Sequence, residues 1–108
     1  MIIYVDIDET ICLHSHTNGA RDYSKAIPIS DRIQKINKLY NEGHTIIYWT
    51  ARGTVTGIDW RGTTERQFKE WGVEYHELKF GKPAYDLFVD DKNINSERFF
   101  NENINNRT

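Results

Sequence analysis

Residues 2–10 have the sequence IIYVDIDET, an apolar and largely β-branched run that ends in two carboxylates, Asp6 and Asp8. A run of this kind is typical of a strand buried in a parallel sheet. Ligands of such sheets bind at the carboxyl ends of the strands. The apolar residues need no polar partner in the core, so we expect the two acids to serve a ligand at this edge.

Outward from this strand, apolar runs alternate with helical patterns along the chain. The alternation predicts an α/β fold with a Rossmann-like parallel sheet of about four to five strands and flanking helices. Residues 12–27, which join the first strand to the first helix, suffice only for a loop or a small flap. The strands are expected at about residues 2–7, 45–50, 73–77 and 86–90.

Three helices are expected between and after these strands. The first begins at Ser30 or Asp31. The second has Thr64 as its N-cap, with Gln67 reaching back to the start of the helix as in a capping box. Ser96 is expected to cap a short third helix, because serine is a favoured capping residue.

The chain has 108 residues and is expected to form a single domain, residues 1–108, without a separate lid domain. Its formal net charge of −2 and its pI of about 6.1 give no clustered positive field for nucleic acid or anionic membrane. No apolar run is long enough to span a bilayer, and Cys12 has no second cysteine as a disulfide partner. We therefore expect a cytoplasmic protein without nucleic-acid or membrane partners, while formation of a homo-oligomer stays open.

Polar residues at the ends of the predicted strands form four motifs in a fixed order. The motifs are Asp6-x-Asp8-x-Thr10, a strand ending at Thr50, Lys82 within Gly81-Lys82-Pro83, and Asp90-Asp91. Together they resemble the motifs of the haloacid dehalogenase superfamily of phosphotransferases. The whole chain is most similar to the small capless branch of that superfamily, the capsular polysaccharide biosynthesis phosphatases. One departure is Glu9, where the superfamily usually has glycine or another small residue.

The resemblance implies catalytic roles for four residues. Asp6 would attack phosphorus and form an aspartyl-phosphate, and Asp8 would protonate the leaving oxygen and then deprotonate water. Thr50 would hydrogen-bond a phosphoryl oxygen, while Lys82 would neutralise charge on the nucleophile and the phosphoryl group. Thr10 is assigned to substrate binding on the same ground.

The resemblance also implies a magnesium site. Asp6 and Asp90 would bind Mg²⁺ directly, the backbone carbonyl of Asp8 would be a third ligand, and Asp91 would bind directly or through water. The implied function is that of a Mg²⁺-dependent phosphatase, a phosphoric monoester hydrolase that acts on a small phosphorylated metabolite. By resemblance alone, this substrate is a sugar or polyol phosphate in surface polysaccharide biosynthesis.

Two arginines are candidates for recognition of the substrate. Arg52 lies two residues beyond Thr50, and its planar fork suits a phosphate or a carboxylate. Arg61, next to Trp60, could hold a sugar or a second anion. The competing interpretations are a salt bridge at the base of the loop for Arg52 and an ordinary exposed position for Arg61.

Cys12, His14 and His16 alternate along one stretch, and a thiolate together with imidazoles suits zinc. Three ligands so close in sequence strain a tetrahedral site, and the sequence shows no clear fourth ligand. We therefore interpret this stretch as a polar active-site loop with solvated, titrating histidines rather than as a zinc site.

Two other classes of function stay open. The domain could be a noncatalytic metal-binding or partner-binding module that retains the site, because folds outlive functions. It could also be a phosphoacceptor switch resembling a response-regulator receiver. A receiver has its acidic pair after the first strand, whereas Asp90-Asp91 follows the last predicted strand here.

Overall fold

The computed structural model describes residues 1–14 and 21–101. The strands of these two ranges are β1 (Ile2–Val5), β2 (Cys12–Leu13), β3 (Ile27–Pro28), β4 (Thr45–Trp49) and β5 (Glu77–Lys79). The helices are α1 (Ser30–Asn41), α2 (Arg61–Trp71) and α3 (Ser96–Asn101), with a 3₁₀-helix at Tyr23–Lys25. None of these helices is long and apolar enough to cross a membrane.

Strands β1, β4 and β5 form a parallel sheet in which β4 is central, and Val5 pairs with Tyr48 across the β1–β4 ladder. Helix α1 lies between β1 and β4 in the chain, and α2 lies between β4 and β5, as crossovers between parallel strands require. The predicted α/β architecture with a parallel sheet and flanking helices is confirmed. The predicted start of the first helix at Ser30 is also confirmed. A short third helix is present as predicted, but Ser96 is its first residue and not its cap, because the Glu97 amide donates to the side chain of Asn95.

The connection from β1 to α1 carries a second, antiparallel pair of strands. In this pair Cys12 of β2 lies opposite Pro28 of β3. The amide of Ile29 also donates to the carbonyl of Ile11, which ties the start of α1 to the same stretch. The described part of this connection is therefore a small flap, in agreement with the sequence.

The core lies on one face of the sheet, because alternate side chains of each strand point to the same side. Its buried cluster contains Val5 of β1, Ile46 and Tyr48 of β4, Ile36 of α1 and Phe68 of α2. The Tyr48 and Phe68 rings pack edge to face with centroids 4.9 Å apart. Burial of each such side chain contributes about 1.5–3 kcal/mol, so this cluster is a main source of stability.

The opposite face of the sheet is more open. Ile2 and Tyr4 of β1 are 70% and 53% exposed. Phe99 and Phe100 of α3 pack against the core cluster, together with α1 and α2. The described helices therefore cover one face of the sheet and leave the face that carries Tyr4 accessible.

The parallel sheet has fewer strands than the four to five predicted. Strand β5 is Glu77–Lys79, so the prediction at 73–77 begins too early, and the apolar run at 86–90 forms no strand. Only six residues separate β5 from residue 86, whereas a crossover between parallel strands takes about a dozen or more. Leu87 and Val89 are accordingly 79% and 86% exposed.

The predicted capping box at the start of the second helix is wrong. Helix α2 begins at Arg61, and its N-cap residue, Trp60, makes no side-chain capping bond. Thr64 and Gln67 are instead buried inside the helix, where their side chains bond to Arg52. The two side chains that the local pattern assigned to the cap therefore bond to Arg52, a residue outside the helix.

Two glycines of the loop after β4 test how tightly this loop is packed. Gly53 and Gly57 have positive φ angles of 81° and 77°, so alanine is strained at either position by about 1–2 kcal/mol. A Cβ at Gly53 would also lie 2.2 Å from the carbonyl oxygen of Ile58, whereas nothing lies within 4 Å at Gly57. We expect Gly53→Ala to lower the free energy of unfolding by about 1–3 kcal/mol more than Gly57→Ala. Urea unfolding measures both variants, and equal losses would contradict the close approach to Ile58.

Candidate functional site

Three of the predicted catalytic residues meet at the carboxyl edge of the sheet. Asp6 follows β1 and Thr50 follows β4, and the two strands end at the same edge because they are parallel. The Thr50 amide donates to the Lys79 carbonyl, and the Lys82 amide donates to the Thr50 carbonyl at 3.1 Å. With the backbone fixed in this way, the Lys82 ammonium lies 3.5 Å from Asp6 Oδ1.

The Asp6 carboxyl group has a cationic neighbour and is partly exposed to solvent. Burial raises the pKa of this carboxyl above its ordinary value of 3.8, and the charge of Lys82 partly opposes the shift. The Asp6 side chain is nevertheless 38% exposed, whereas that of Lys82 is 15% exposed. The carboxylate can therefore meet a ligand from solvent while the ammonium group stays beside it.

Asp8, two residues further on, has a different environment. Arg52 Nη2 lies 2.9 Å from Asp8 Oδ1, and Arg52 Nε lies 3.1 Å from Oδ2. His14 Nε2 lies 2.6 Å from Oδ1. Burial by itself would raise the pKa of Asp8, but the hydrogen bonds and charge of Arg52, aided by His14, hold it below 3.8. Asp8 is therefore ionised at neutral pH in this arrangement.

The Arg52 guanidinium is held in turn by groups from two other segments. It has no exposed surface, and Nη1 donates to Thr64 Oγ1 at 3.0 Å and to Gln67 Oε1 at 2.6 Å. The guanidinium carbon lies 4.9 Å from the centre of the Tyr23 ring, and Gln67 donates to the Tyr23 carbonyl. Helix α2 and the 3₁₀-helix thus fix the guanidinium on Asp8.

The structure shows the salt bridge that was the competing interpretation of Arg52. Its assignment to the substrate stays a prediction, because the guanidinium faces Asp8 here. The supporting roles of Thr64, Gln67 and Tyr23 were not among the expectations from the sequence. The available signal was the three-residue spacing of Thr64 and Gln67, which places both side chains on one side of a helix.

Cys12 and His14 belong to the Asp8 side of the site. The predicted solvation is wrong for His14, whose side chain is 6% exposed, and Cys12 is fully buried. Burial raises the pKa of the Cys12 thiol to about 12, so the sulfur is protonated at neutral pH. His16 lies outside the described residues.

Glu9 and Thr10 form the turn after β1. Glu9 has a φ of 61°, in the left-handed region that favours glycine, and its exposed carboxylate lies 3.6 Å from Arg21. The Thr10 amide donates to the Ile7 carbonyl, and the Thr10 carbonyl accepts from Arg32. Glu9 therefore has a backbone conformation that usually requires glycine. The binding of substrate by Thr10 stays a prediction.

Asp90 and Asp91 are not gathered with Asp6 in this structure. Both are exposed, and they follow the apolar run that forms no strand. The Asp91 amide donates to Asp90 Oδ1 at 2.7 Å, which is a local contact. Within the ranges that the structure describes, neither carboxylate joins Asp6 in a group of three metal-binding residues close enough to share an ion. The strand that was predicted to bring the pair to the edge with Asp6 is not formed at 86–90, and binding of Mg²⁺ by Asp90 and Asp91 stays a prediction.

A cavity of about 210 Å³ opens between the loop after β4 and the chain that follows β5. Its wall includes Trp60, Arg61, Phe80 and Gly81, so the cavity reaches the residue before Lys82. The Arg61 guanidinium lies over the Phe80 ring, 4.6 Å from its centre. The cavity thus offers aromatic surface and a cation next to the Asp6 side of the site.

Comparison with known proteins gives a fold and no family. No protein-family model and no curated protein sequence matches this chain. Among solved structures, the chain is similar to the crystal structure of a structural-genomics target from Vibrio cholerae, with a TM-score of 0.80 and 24% sequence identity. The similarity covers 97% of this chain and 92% of that one. At this level of identity it shows a shared fold alone.

The ion pair between Arg52 and Asp8 has a pH-dependent effect on stability. Because removal of one partner leaves the other charge buried, Arg52→Met is expected to lower the free energy of unfolding by about 3–5 kcal/mol at neutral pH. The pKa of Asp8 is lowered in the folded state, so its contribution is present above 3.8 and is lost as the pH falls through the folded pKa. The loss caused by Arg52→Met should therefore shrink in acid.

Urea unfolding at neutral pH and in acid measures this difference. Asp8→Asn, alone and combined with Arg52→Met, completes a double-mutant cycle. Arg66→Met replaces an arginine of α2 whose side chain is 59% exposed, and it serves as the matched control. The same loss for Arg52→Met at both pH values would contradict the pairing with Asp8.

Proposed function

We propose that this protein is a Mg²⁺-dependent phosphohydrolase of the haloacid dehalogenase type, with the core fold of that superfamily and no large cap. It would hydrolyse a phosphate monoester through an aspartyl-phosphate on Asp6. One observation carries the proposal: the Asp6 carboxylate, partly open to solvent, lies 3.5 Å from the Lys82 ammonium at the edge where Thr50 ends the neighbouring strand. A nucleophile, a cation and a hydroxyl at one edge are groups that phosphoryl transfer requires.

Asp6 supplies the nucleophile in this proposal. One of its oxygens forms a bond to phosphorus as the bond from phosphorus to the leaving oxygen breaks, and the leaving oxygen takes up a proton. Lys82 offsets the negative charge that gathers between the carboxylate and the phosphoryl group. The Thr50 hydroxyl oxygen accepts from the Arg52 amide at 3.1 Å, which leaves the hydroxyl proton to donate to a phosphoryl oxygen.

Asp8 is the group that moves protons in this proposal. In the second step it would take a proton from the water that attacks the aspartyl-phosphate, and its ionised state beside Arg52 suits this role. In the first step it would give a proton to the leaving oxygen, which the contact with Arg52 disfavours. Because one carboxyl group serves both steps, the contact with Arg52 has to loosen when the substrate binds.

The donor groups fit a magnesium ion in part. Mg²⁺ keeps several of its waters and needs only one or two protein carboxylates. Asp6 offers one carboxylate and the Asp8 carbonyl follows in the same turn, whereas Asp90 and Asp91 are exposed and are bonded to each other locally. Bound at Asp6, Mg²⁺ would neutralise charge on the phosphoryl oxygens.

The cavity next to Lys82 is proposed to hold the leaving half of the substrate. Arg61 and the Phe80 ring stack on one another, and Trp60 lies on the same wall. Aromatic surface with one or two fixed polar groups suits a small polyhydroxyl ligand. A sugar or polyol phosphate of surface polysaccharide biosynthesis is proposed from the resemblance of the motifs. A cytoplasmic location is proposed with it, supported by the single cysteine, Cys12.

A noncatalytic metal-binding or partner-binding role is the second candidate function. It is favoured by Asp90 and Asp91, which the proposed magnesium site would use: both are exposed, and in the described ranges they form no group of three metal-binding residues with Asp6. Release of phosphate from a generic aryl phosphate in the presence of Mg²⁺ separates the first candidate from the second. The same assay separates it from a phosphoacceptor switch.

Replacement of the proposed nucleophile tests the reaction. Asp6→Asn is expected to reduce Mg²⁺-dependent phosphate release by several powers of ten, because an amide cannot form the aspartyl-phosphate. Asp86→Asn replaces an exposed acid of the neighbouring segment and should keep the wild-type rate. Circular dichroism checks that both variants are folded. EDTA should abolish phosphate release by the wild type, and added Mg²⁺ should restore it. A variant at Asp6 that keeps more than roughly a tenth of the rate would exclude this residue as the nucleophile.

Arg61 tests the subsite for the leaving half. A panel of phosphorylated sugars, polyols and nucleotides first identifies the best substrate by phosphate release. Arg61→Ala should then lower kcat/KM for that substrate by a factor equivalent to about 1–3 kcal/mol, with little change for an aryl phosphate. Arg66→Ala, at an exposed position of the same helix, is the control. Equal losses on both substrates would place Arg61 at the transferred phosphoryl group, and no loss on either would make it ordinary surface.

A further inference from the structure

Three side chains that commonly bind metals meet on the Asp8 side of the site. Asp8 Oδ1 lies 3.5 Å from Cys12 Sγ and 2.6 Å from His14 Nε2, and Sγ lies 4.0 Å from Nε2. The three donor atoms therefore lie within 4.8 Å of one another. Cys12 has no part in the proposed hydrolysis, so this reaction does not explain the arrangement.

These distances are close to those of a tetrahedral zinc site. With bonds of about 2.3 Å to sulfur and about 2.0–2.2 Å to nitrogen or oxygen, tetrahedral donors lie roughly 3.3–3.7 Å apart. The two distances that involve Cys12 Sγ are near this range. The separation of Asp8 and His14 is shorter, so an ion would replace their hydrogen bond and widen the gap by less than about 1 Å.

We propose that Asp8, Cys12 and His14 bind a thiophilic divalent cation, with Zn²⁺ as the best match and water as the fourth ligand. A thiolate and an imidazole favour Zn²⁺ over Mg²⁺, which prefers oxygen ligands. The turn after β1 brings the donors together, because the Glu9 amide donates to the Cys12 carbonyl at 2.9 Å. Asp8 precedes the turn, whereas Cys12 and His14 follow it. The three ligands therefore do not lie on one extended stretch, and the strain expected for such a stretch does not arise.

Two existing interactions oppose the ion. The Cys12 thiol has to give its proton to solvent as the metal–sulfur bond forms. The hydrogen on His14 Nε2 that faces Asp8 Oδ1 has to leave as well, to Nδ1 of the same ring or to solvent, so at least one proton is released for each ion bound. Arg52 Nη2 lies 2.9 Å from Asp8 Oδ1 and 3.9 Å from Cys12 Sγ, and it has to move away from Oδ1. Arg52 Nε, 3.1 Å from Oδ2, can keep its bond, so the carboxylate would bridge the ion and the guanidinium.

Occupation of this site would stop the proposed hydrolysis, a consequence that rests on the proposed function. An Asp8 carboxylate bound to Zn²⁺ cannot exchange a proton with the leaving oxygen or with water. Zn²⁺ would then inhibit the Mg²⁺-dependent reaction through ligands that Mg²⁺ does not use. Measured against its own zinc-free, Mg²⁺-dependent rate, Cys12→Ser should require at least about tenfold more Zn²⁺ than the wild type for half-inhibition, because the sulfur ligand is lost.

Titration of the chain with Co²⁺ tests the site, because Co²⁺ can replace Zn²⁺ and its bond to a thiolate gives a charge-transfer absorption band. Cys12 is the chain's only cysteine, so a cobalt–thiolate band can arise from no other residue. We expect the band in the wild type and its absence in Cys12→Ser. His14→Gln should weaken Co²⁺ binding at least about tenfold. His44→Gln, which replaces a histidine bonded to the amino terminus, is the control and should leave binding unchanged.

Absence of the band in the wild type would overturn the site. Wild-type affinity for Co²⁺ in His14→Gln would also overturn it, since the thiol alone would then bind the ion. Circular dichroism checks that each variant is folded. If a variant does not fold, X-ray absorption of the zinc-loaded wild type decides, since one sulfur ligand with nitrogen and oxygen neighbours supports the site and a shell without sulfur overturns it.

Cobalt binding and phosphate release are separate measurements, so the two proposals fail separately. Binding of Co²⁺ through Cys12 without hydrolysis of phosphate esters would support the metal site and overturn the proposed reaction. A protein that hydrolyses phosphate esters without the cobalt–thiolate band keeps the reaction and loses the metal site. Inhibition of Cys12→Ser by the same Zn²⁺ concentration as the wild type would overturn the link between the two.

Discussion

A guanidinium that is cut off from water has to find anionic and hydrogen-bonding partners inside the protein, and Arg52 finds them on separate segments. It bonds both oxygens of Asp8 in the turn after β1, and it bonds the side chains of Thr64 and Gln67 on α2. The turn after β1, the loop after β4 and the position of α2 therefore depend on one another. Loss of one partner would leave a buried polar group unpaired, which costs far more than loss of a contact at the surface.

The same interaction divides the candidate site into two halves. Asp6 and Asp8 are two residues apart, yet burial raises the pKa of Asp6 while Arg52 and His14 hold that of Asp8 below its ordinary value. Two carboxyl groups with opposite shifts can take different roles in one reaction. The proposed hydrolysis uses Asp6 for attack and Asp8 for proton movement. The lowered pKa of Asp8 suits its role as the base of the second step and opposes its role as the acid of the first step. The proposed cation site uses Asp8 again, so catalysis and its inhibition by a thiophilic metal would share one carboxylate.

The segment that follows β5 also affects which residues reach the candidate site. Residues 83–95 are exposed throughout, and β1 is an edge strand of the parallel sheet that the described residues form. The short connection after β5 cannot carry the chain across the sheet as a crossover, so the apolar run that precedes Asp90 stays off the sheet. Asp90 and Asp91 therefore follow an exposed segment instead of the sheet strand that was predicted to carry them to the edge with Asp6.

The amino-acid sequence by itself determined the alternation of strands and helices, the parallel sheet and the place of Asp6 and Thr50 at one edge. Hydrophobic periodicity is a local property, and parallel pairing brings the ends of such strands together without further information. Only the tertiary structure decided that Thr64 and Gln67 bind Arg52 instead of capping α2. It also decided that Cys12 and His14 are buried against Asp8, and that the run at 86–90 forms no strand. These outcomes depend on which distant groups compete for one hydrogen bond and on whether a connection can span the sheet. A local sequence pattern contains no information on either of these.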